Sequence, residues 1–157
     1  MWKARYKGEF VAIKTIPVNS LSPQSIAALN AEANIMRRLA HPRIVSCFGV
    51  FENEGNHCMV MELMEGGSLQ GYIAGQPCPD NWVMRYNVAL DICHGMSYLH
   101  KLNVVHRDLK PGNVCLDKFG RGKITDFGLS VVKNTAVTSI KGQEMGTVQY
   151  MVPITLI

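Results

Sequence analysis

The first part of the chain alternates between short apolar runs and polar turns, a pattern that predicts strands. Residues 1–16 are predicted to form two strands around a turn at 7–9, because the run after that turn is apolar and rich in β-forming residues. Residues 45–51 and 58–63 have the same character and flank a polar turn at 53–56. The pattern therefore predicts four strands in two turn-connected pairs.

Helical spacing of apolar residues governs most of the remaining chain. Apolar residues recur at this spacing from Ile26 to Met36 until His41-Pro42 stops the pattern, which predicts a helix between the two strand pairs. Two helices and two short strands are predicted further on, at 68–74, 81–102, 114–116 and 123–125. On the long helix, one side collects the apolar residues Val83, Tyr86, Leu90, Cys93, Met96 and Leu99. Strands therefore lead and helices follow.

The composition excludes several classes of protein. With 157 residues and 47% hydrophobic content, the chain suits one modest domain with an apolar core. The net charge of +4 is scattered, without a run of five or six like charges, so we expect no nucleic-acid interface. No segment approaches the roughly 20 apolar residues that a membrane-spanning helix needs. The five cysteines form no Cys-x-x-Cys pair, which favours reduced thiols and a cytoplasmic location.

Three short motifs follow one another along the chain. They are Val11-Ala12-Ile13-Lys14, then His106-Arg107-Asp108-Leu109-Lys110-Pro111-Gly112-Asn113, then Asp126-Phe127-Gly128. Together they resemble the lysine-bearing strand, the catalytic loop and the metal-binding motif of the protein kinase family. Lys110 resembles the lysine of its serine/threonine type, and the stretch Gly146-Thr147-Val148-Gln149-Tyr150-Met151 resembles serine/threonine kinases of the tyrosine-kinase-like group. The resemblance implies a two-lobed α+β fold, with a partial strand-rich N-lobe and an incomplete helical C-lobe, and ATP and Mg²⁺ between the lobes.

The resemblance implies a role for each polar residue of these motifs. Asp108 would accept the proton of the substrate hydroxyl or orient that hydroxyl for in-line attack. Asn113 and Asp126 would supply oxygen ligands to Mg²⁺. Lys14 would hold the α- and β-phosphates, and Glu32 is the acid expected to pair with it, because a lysine in a buried strand is costly without an acid.

Residues near the catalytic loop bear on the substrate. Lys110 stands where serine/threonine kinases usually have lysine, which favours Ser and Thr hydroxyls, although dual specificity stays open. Thr147 is expected to form a hydrogen bond with the catalytic loop. Arg107 resembles the arginine of kinases that are activated by phosphorylation of a loop. The hydroxyls available in that loop are Thr135, Thr138 and Ser139.

The stretch from Met59 to Ser68 resembles the hinge that binds adenine between the two lobes. The Glu62 carbonyl and the Met64 amide match the acceptor and the donor for the adenine edge. Met61 would guard the pocket behind the base, while Ala12 and Cys115 would pack above and below the ring. Core packing alone also explains the methionines.

The resemblance is incomplete at both ends. In the family, the glycine-rich loop G-x-G-x-x-G-x-V covers the ATP phosphates. This sequence does not contain the loop, and residues 1–4 correspond to the strand that follows it. Val152-Pro153-Ile154 replaces the family's Ala-Pro-Glu. We expect one partial kinase domain at 1–157. Its N-lobe part, 1–62, lacks the glycine-rich loop, and 63–157 contains the hinge, the catalytic loop and the activation segment.

Two functions are consistent with this incomplete match. The first is an ATP-dependent protein kinase that transfers the γ-phosphate to Ser or Thr hydroxyls of protein substrates. The alternative is a catalytically impaired kinase fragment that acts as a nucleotide- or protein-binding regulatory module, with regulatory protein partners. With an incomplete C-lobe, the long helix around Leu90 and Met96 is expected to expose apolar surface to water.

Overall fold

The computed structural model describes residues 1–17, 23–75, 81–127, 131–132 and 147–150. Side chains at 23–26, 28–29, 32, 131–132 and 148 lie outside this description. Within the described ranges, no helix is both long and apolar enough to cross a membrane.

A four-stranded antiparallel sheet forms the first half of the structure. It consists of β1 (Trp2–Tyr6), β2 (Glu9–Pro17), β3 (Cys47–Asn53) and β4 (Asn56–Glu62), in the order β1-β2-β4-β3. The predicted strand pairs are confirmed.

Two-residue turns close both hairpins of this sheet. Lys7 and Gly8 have φ of 50° and 89°, and Glu54 and Gly55 have φ of 49° and 70°. Positive φ at both central residues gives a turn whose twist matches that of the flanking strands, and glycine adopts it without strain. The turns are therefore tighter than predicted, and the residues that flank them belong to the strands.

Helix α1 (Pro23–Arg38) connects the two hairpins and packs on the sheet. Ala33 and Met36 are buried in the main hydrophobic cluster together with Met59 and Met61 of β4. Arg37 and Arg38 lie in the last turn, where cations interact favourably with the helix dipole. The predicted helix between the strand pairs is confirmed.

Helices α2 (Leu69–Gly75) and α3 (Trp82–Lys101) follow the sheet. Asn81 caps α3, since its side-chain oxygen accepts a 3.0 Å hydrogen bond from the Met84 amide. Both predicted helices are confirmed to within about two residues.

Helix α3 buries a different side from the one that its apolar residues suggest. The buried residues are Val88, Asp91, Gly95 and Leu99. Of the predicted apolar side, Leu99 is buried, but Val83, Tyr86 and Leu90 are 71%, 68% and 37% exposed. The expectation of exposed apolar surface around Leu90 and Met96 is therefore confirmed at Leu90 but not at Met96, which is partly buried against the main hydrophobic cluster. The buried side contains a glycine and an acid because α3 packs closely against a strand at that position.

That strand is β7 (Gly122–Ile124), which forms a hairpin with β6 (Val114–Leu116). A second small sheet pairs β5 (Val104–Val105) with β8 (Val131–Val132), and 3-10 turns occupy Pro111–Asn113 and Val148–Tyr150. The α+β class is confirmed.

The loop after α1 connects the sheet to the helical half. The Ile124 amide donates to the Arg43 carbonyl and the Val45 amide donates to the Ile124 carbonyl, both at 2.9 Å. Ile44, Leu99 and Ile124 are almost completely buried in the same hydrophobic cluster as Met36 and Met59. One core therefore extends through both halves and supports the cleft between them.

Candidate functional site

A cavity of about 320 Å³ lies between the sheet and the helical half. From the sheet and the segment after it, the predicted nucleotide-binding residues that line the cavity are Ala12, Lys14, Met61, Glu62 and Met64. From the β6–β7 region, they are Asn113, Cys115 and Asp126. The fold thus brings together residues from distant parts of the sequence.

Strand alternation explains why Ala12 and Lys14 line the same cavity. Residues two apart on a strand lie on the same face, and Ala12 of β2 is directly opposite Met61 of β4. Lys14 Nζ lies 3.5 Å from Asp126 Oδ1, and the two side chains are 29% and 45% exposed. The side chain of Glu32 lies outside the described residues, so its pairing with Lys14 stays a prediction.

The catalytic-loop segment holds the Asp108 carboxylate in a dense set of hydrogen bonds. Its Oδ1 accepts from the Thr147 amide at 2.8 Å and from the Thr147 hydroxyl at 2.7 Å. Its Oδ2 lies 2.7 Å from Lys110 Nζ, which also donates to the Thr147 hydroxyl at 2.6 Å. The three side chains therefore form one closed network.

Asn113 lines the cavity and forms hydrogen bonds with Asp108. Its Nδ2 donates to the Asp108 carbonyl at 2.9 Å and to Asp108 Oδ2 at 3.0 Å. Since the amide nitrogen is directed at Asp108, the amide oxygen is the Asn113 atom suited to a cation. The Asn113 carbonyl in turn accepts from the Thr125 amide at 3.0 Å, directly before Asp126.

His106 joins the catalytic-loop segment to the segment that contains Asp126. Its Nε2 lies 3.0 Å from the Thr125 carbonyl, and its Nδ1 accepts from the Asp108 amide at 3.3 Å. A carbonyl only accepts, so Nε2 is the protonated nitrogen. The ring packs against Phe127 at 5.1 Å, and both residues are 1% exposed.

Two residues of these segments have left-handed backbone conformations. Arg107 has φ of 66° and Asp126 has φ of 63°. Such conformations cost free energy in residues other than glycine and persist where the surroundings enforce them, commonly at functional sites. Here the hydrogen bond from His106 to the Thr125 carbonyl joins the two residues that directly precede the strained positions.

A comparison with known families identifies the family of this chain. The family model for the protein kinase domain matches residues 2–156. This chain belongs to the protein kinase family. Its α+β structure is consistent with a partial two-lobed kinase fold, in which the sheet and α1 correspond to the N-lobe.

Curated proteins that are similar to this chain are also named as protein kinases. The probable serine/threonine-protein kinase kinX of Dictyostelium discoideum is 39% identical over 133 residues, covering 83% of this chain and 12% of that protein. The serine/threonine-protein kinase STY46 of Arabidopsis thaliana is 36% identical over 153 residues, covering 98% and 26%. The receptor protein kinase WSS1 of Oryza sativa subsp. japonica is 30% identical over 160 residues, covering 98% and 18%. The chain thus spans about an eighth to a quarter of these relatives.

Two side chains of the kinase cleft have shifted pKa values. Burial alone would raise the pKa of Asp108, but the hydrogen bonds from Lys110 and Thr147 outweigh burial and lower that pKa to about 2. The Asp108 carboxylate is therefore ionised at neutral pH. Burial, and then the negative charge of Asp126, raise the pKa of the Cys115 thiol. This thiol is therefore protonated at neutral pH and a weak nucleophile.

The oxygen donors of the cleft suit a magnesium ion that is shared with a phosphate. No cluster of three or more His, Cys, Asp or Glu side chains able to hold a metal occurs within the described ranges. Asn113 and Asp126 line one cavity and offer an amide oxygen and a carboxylate, the hard donors that Mg²⁺ prefers. Mg²⁺ typically takes its other ligands from water and substrate phosphates. The two residues fit that role.

The Glu62 carboxylate is held by residues of β7 and of the loop after α1. It contacts Lys123 of β7 and accepts from the Ser46 amide at 3.3 Å, while the Glu62 amide donates to the Ser46 carbonyl at 2.9 Å. The predicted hinge is thereby held to the loop after α1. Sequence reasoning did not single out Lys123, because it lies 61 residues from Glu62.

Several further residues that line the cavity were not predicted individually as site residues. Leu63, Gly67 and Ser68 lie within the predicted hinge stretch, and Gly112 and Thr125 lie within or next to the motifs. Met1 and Val45 are apolar and have no chemical signal of their own. Thr135, Thr138, Ser139 and the segment 152–154 lie outside the described residues.

Proposed function

We propose that this kinase chain binds ATP with Mg²⁺ and transfers the γ-phosphate to Ser or Thr hydroxyls of protein substrates. The observation that supports the proposal best is the closed network of Asp108, Lys110 and Thr147, which adjoins the cavity lined by Asn113 and Asp126. Phosphoryl transfer requires an oriented hydroxyl, cations and metal-binding oxygens at one place.

Nucleotide binding would use the cavity between the two halves. Adenine would lie between Ala12 and Cys115, with its edge at the Glu62 carbonyl and the Met64 amide. Met61 would border the space behind the ring. The volume of about 320 Å³ is within the range of small-molecule sites.

The phosphates would lie near the Lys14–Asp126 pair. Lys14 would neutralise charge on the α- and β-phosphates, and Glu32 is expected to hold Lys14 from helix α1. Bound Mg²⁺ would neutralise charge on the β- and γ-phosphates. Asn113 and Asp126 would hold that ion through their oxygen atoms.

Asp108 would orient the substrate hydroxyl. A carboxylate with a pKa of about 2 is a weak base in the resting state, so its first role is to accept a hydrogen bond from the incoming hydroxyl. Both carboxylate oxygens already accept two donors each, from Thr147 and from Lys110 and Asn113. A substrate hydroxyl would therefore displace one of these donors.

Three expectations belong to the same proposal. The Lys110–Thr147 contact and the similarity to serine/threonine-protein kinases favour Ser and Thr substrates. Membership of the tyrosine-kinase-like group and a cytoplasmic location are proposed from the motifs and the cysteine pattern. The partial domain at 1–157, divided near Glu62, is proposed from the coverage of the motifs.

The decisive experiment is phosphate transfer from magnesium ATP to a generic protein substrate. The unsubstituted chain is compared with the nearly isosteric Asp126→Asn variant, and the phosphorylated residues are identified by mass spectrometry. We expect labelled Ser and Thr with the unsubstituted chain and transfer at least about tenfold slower with the variant. Equal rates would exclude catalysis by this polypeptide.

A second candidate function is that of a catalytically impaired regulatory module that binds nucleotide or protein. The exposed apolar side of α3 favours it, since Trp82, Val83 and Tyr86 are 69%, 71% and 68% exposed. Thermal shifts with magnesium ATP, combined with the transfer assay, separate the two candidates. Stabilisation by magnesium ATP without any phosphate transfer would support a regulatory module that binds nucleotide.

A further inference from the structure

Asp91 of α3 is a completely buried carboxylate with two arginine partners and a backbone amide donor. It is 0% exposed, and Arg121 binds it in a bidentate manner through Nε at 2.9 Å and Nη2 at 2.6 Å. Arg43 Nε lies 2.9 Å away, and the Gly122 amide donates at 2.9 Å. A buried charge is tolerated only when its hydrogen bonds are satisfied in this way.

The partners of Asp91 come from two segments that lead to the cleft. Arg43 lies in the loop after α1, two residues before Val45, which lines the cavity. Arg121 and Gly122 are at the start of β7, and Asp126 follows four residues after Gly122. Asp91 therefore contacts both segments a few residues before they reach the cavity.

Backbone hydrogen bonds extend this connection to the candidate metal ligands. The Arg43 carbonyl accepts from the Ile124 amide at 2.9 Å, and the Thr125 amide donates to the Asn113 carbonyl at 3.0 Å. The register of β7 thus determines where Asp126 lies relative to Asn113. The Gly122 amide, at the start of β7, donates to Asp91, so the carboxylate helps to hold in place the strand that leads to Asp126.

The turn before β7 has its own anchor, which distinguishes the role of Asp91. Asp117 Oδ1 accepts from the Arg121 amide at 2.9 Å, and the Asp117 amide donates to the Arg121 carbonyl at 3.0 Å. The turn therefore holds its shape through Asp117. What Asp91 adds is the attachment of β7 and the Arg43 loop to a rigid helix.

We infer that Asp91 is a positioning residue for the metal-binding end of the cleft. By holding β7 and the Arg43 loop on α3, it places the Asp126 carboxylate where it can share Mg²⁺ with Asn113 and a nucleotide phosphate. The inference rests on the proposed function in one respect, namely that Asp126 binds the metal. Asp91 acts through β7 and does not touch the nucleotide.

The test compares two affinities in the full chain. One is the affinity for ATP at saturating Mg²⁺, and the other is the affinity for adenosine, which has no phosphates and needs no metal. Asp91→Asn keeps the size of the side chain but removes its charge. Arg121→Gln weakens the same cluster from a side chain that is 41% exposed, which the fold should tolerate. We expect both variants to bind magnesium ATP at least about tenfold more weakly and adenosine within about twofold of the unsubstituted protein.

A matched control separates positioning from general loss of stability. Leu99→Ala removes a completely buried side chain from the same helix without touching the Asp91 cluster. It should lower the melting temperature while leaving the ratio of the two affinities unchanged. If Asp91→Asn does not fold, Arg121→Gln decides.

Two negative results have different meanings. Variants of the Asp91 cluster that lower the melting temperature but keep the affinity ratio of the unsubstituted protein would overturn the inference and leave the proposed function standing. An unsubstituted protein whose ATP affinity does not depend on Mg²⁺ would overturn the proposed metal site, and the inference with it.

Discussion

Gly95 provides a sharp test of how α3 packs against β7. A Cβ atom at this position would lie 2.8 Å from Ile124 Cδ1 and 2.9 Å from the Arg43 carbonyl oxygen. The carbonyl is held by the Ile124 amide at 2.9 Å, and Ile124 is 0% exposed. Neither neighbour can move without disturbing the connection between the two halves of the structure.

The size of the effect of Gly95→Ala follows from two opposing contributions. Alanine is favoured over glycine in a helix interior by about 1 kcal/mol. Overpacking a core typically costs about 1–3 kcal/mol, and two contacts below 3.0 Å justify the upper end. We therefore expect the free energy of unfolding to fall by about 2 kcal/mol. For a urea dependence of about 2 kcal/mol per molar, the midpoint would fall by about 1 M.

Urea denaturation followed by far-UV circular dichroism measures this difference. Gly75→Ala is the control, because Gly75 ends α2 and a Cβ there would meet no atom within 4 Å. It should be neutral or slightly stabilising. A Gly95→Ala protein as stable as the unsubstituted one, or more stable, would refute the close packing of α3 on β7.

Three further predictions concern the kinase cleft. Thr147→Val should slow phosphate transfer about 10- to 100-fold without changing ATP affinity, and Thr147→Ser should restore transfer, because a charge-assisted hydrogen bond to Asp108 is lost and regained. Asp108 has a folded pKa of about 2 against an ordinary 3.8, so its contribution to stability is present above pH 3.8 and lost as the pH falls towards 2. Acid titrations of the free energy of unfolding should show this loss, and the Asp108→Asn variant should not show it. Iodoacetamide at pH 7.5 should modify half-buried Cys115 more slowly than exposed Cys93, and magnesium ATP should slow only the modification of Cys115, as measured by peptide mass spectrometry.

The elements of the fold were largely predictable, because they depend on interactions between near neighbours. Apolar periodicity located α1, and glycine at positions 8 and 55 marked turns that need positive φ. Strand β6 was predicted with its exact bounds, Val114–Leu116. The family could also be recognised, since its chemistry requires a few polar residues in short motifs.

The interior of the helical half was less predictable. Helix α3 has apolar residues on more than one side, and its buried side contains Asp91 and Gly95. Periodicity favours the side with more apolar residues, whereas packing favours the side that lets two backbones approach closely. The cluster around Asp91 joins it to Arg121, which is 30 positions away, and to Arg43, which is further away in the other direction, and no local pattern indicates such contacts.

The sequence by itself determined the family, the elements and the identity of the chemically active side chains, because these depend on residue type and on neighbours along the chain. Only the tertiary structure decided which of those side chains meet. Lys14 lies 3.5 Å from Asp126 although 112 positions separate them, and Thr147 closes its network with Asp108 across 39 positions. Such pairings arise when a sheet, a helix and a short hairpin pack around one core. The free energy that selects them comes from burial and hydrogen bonding over the whole structure.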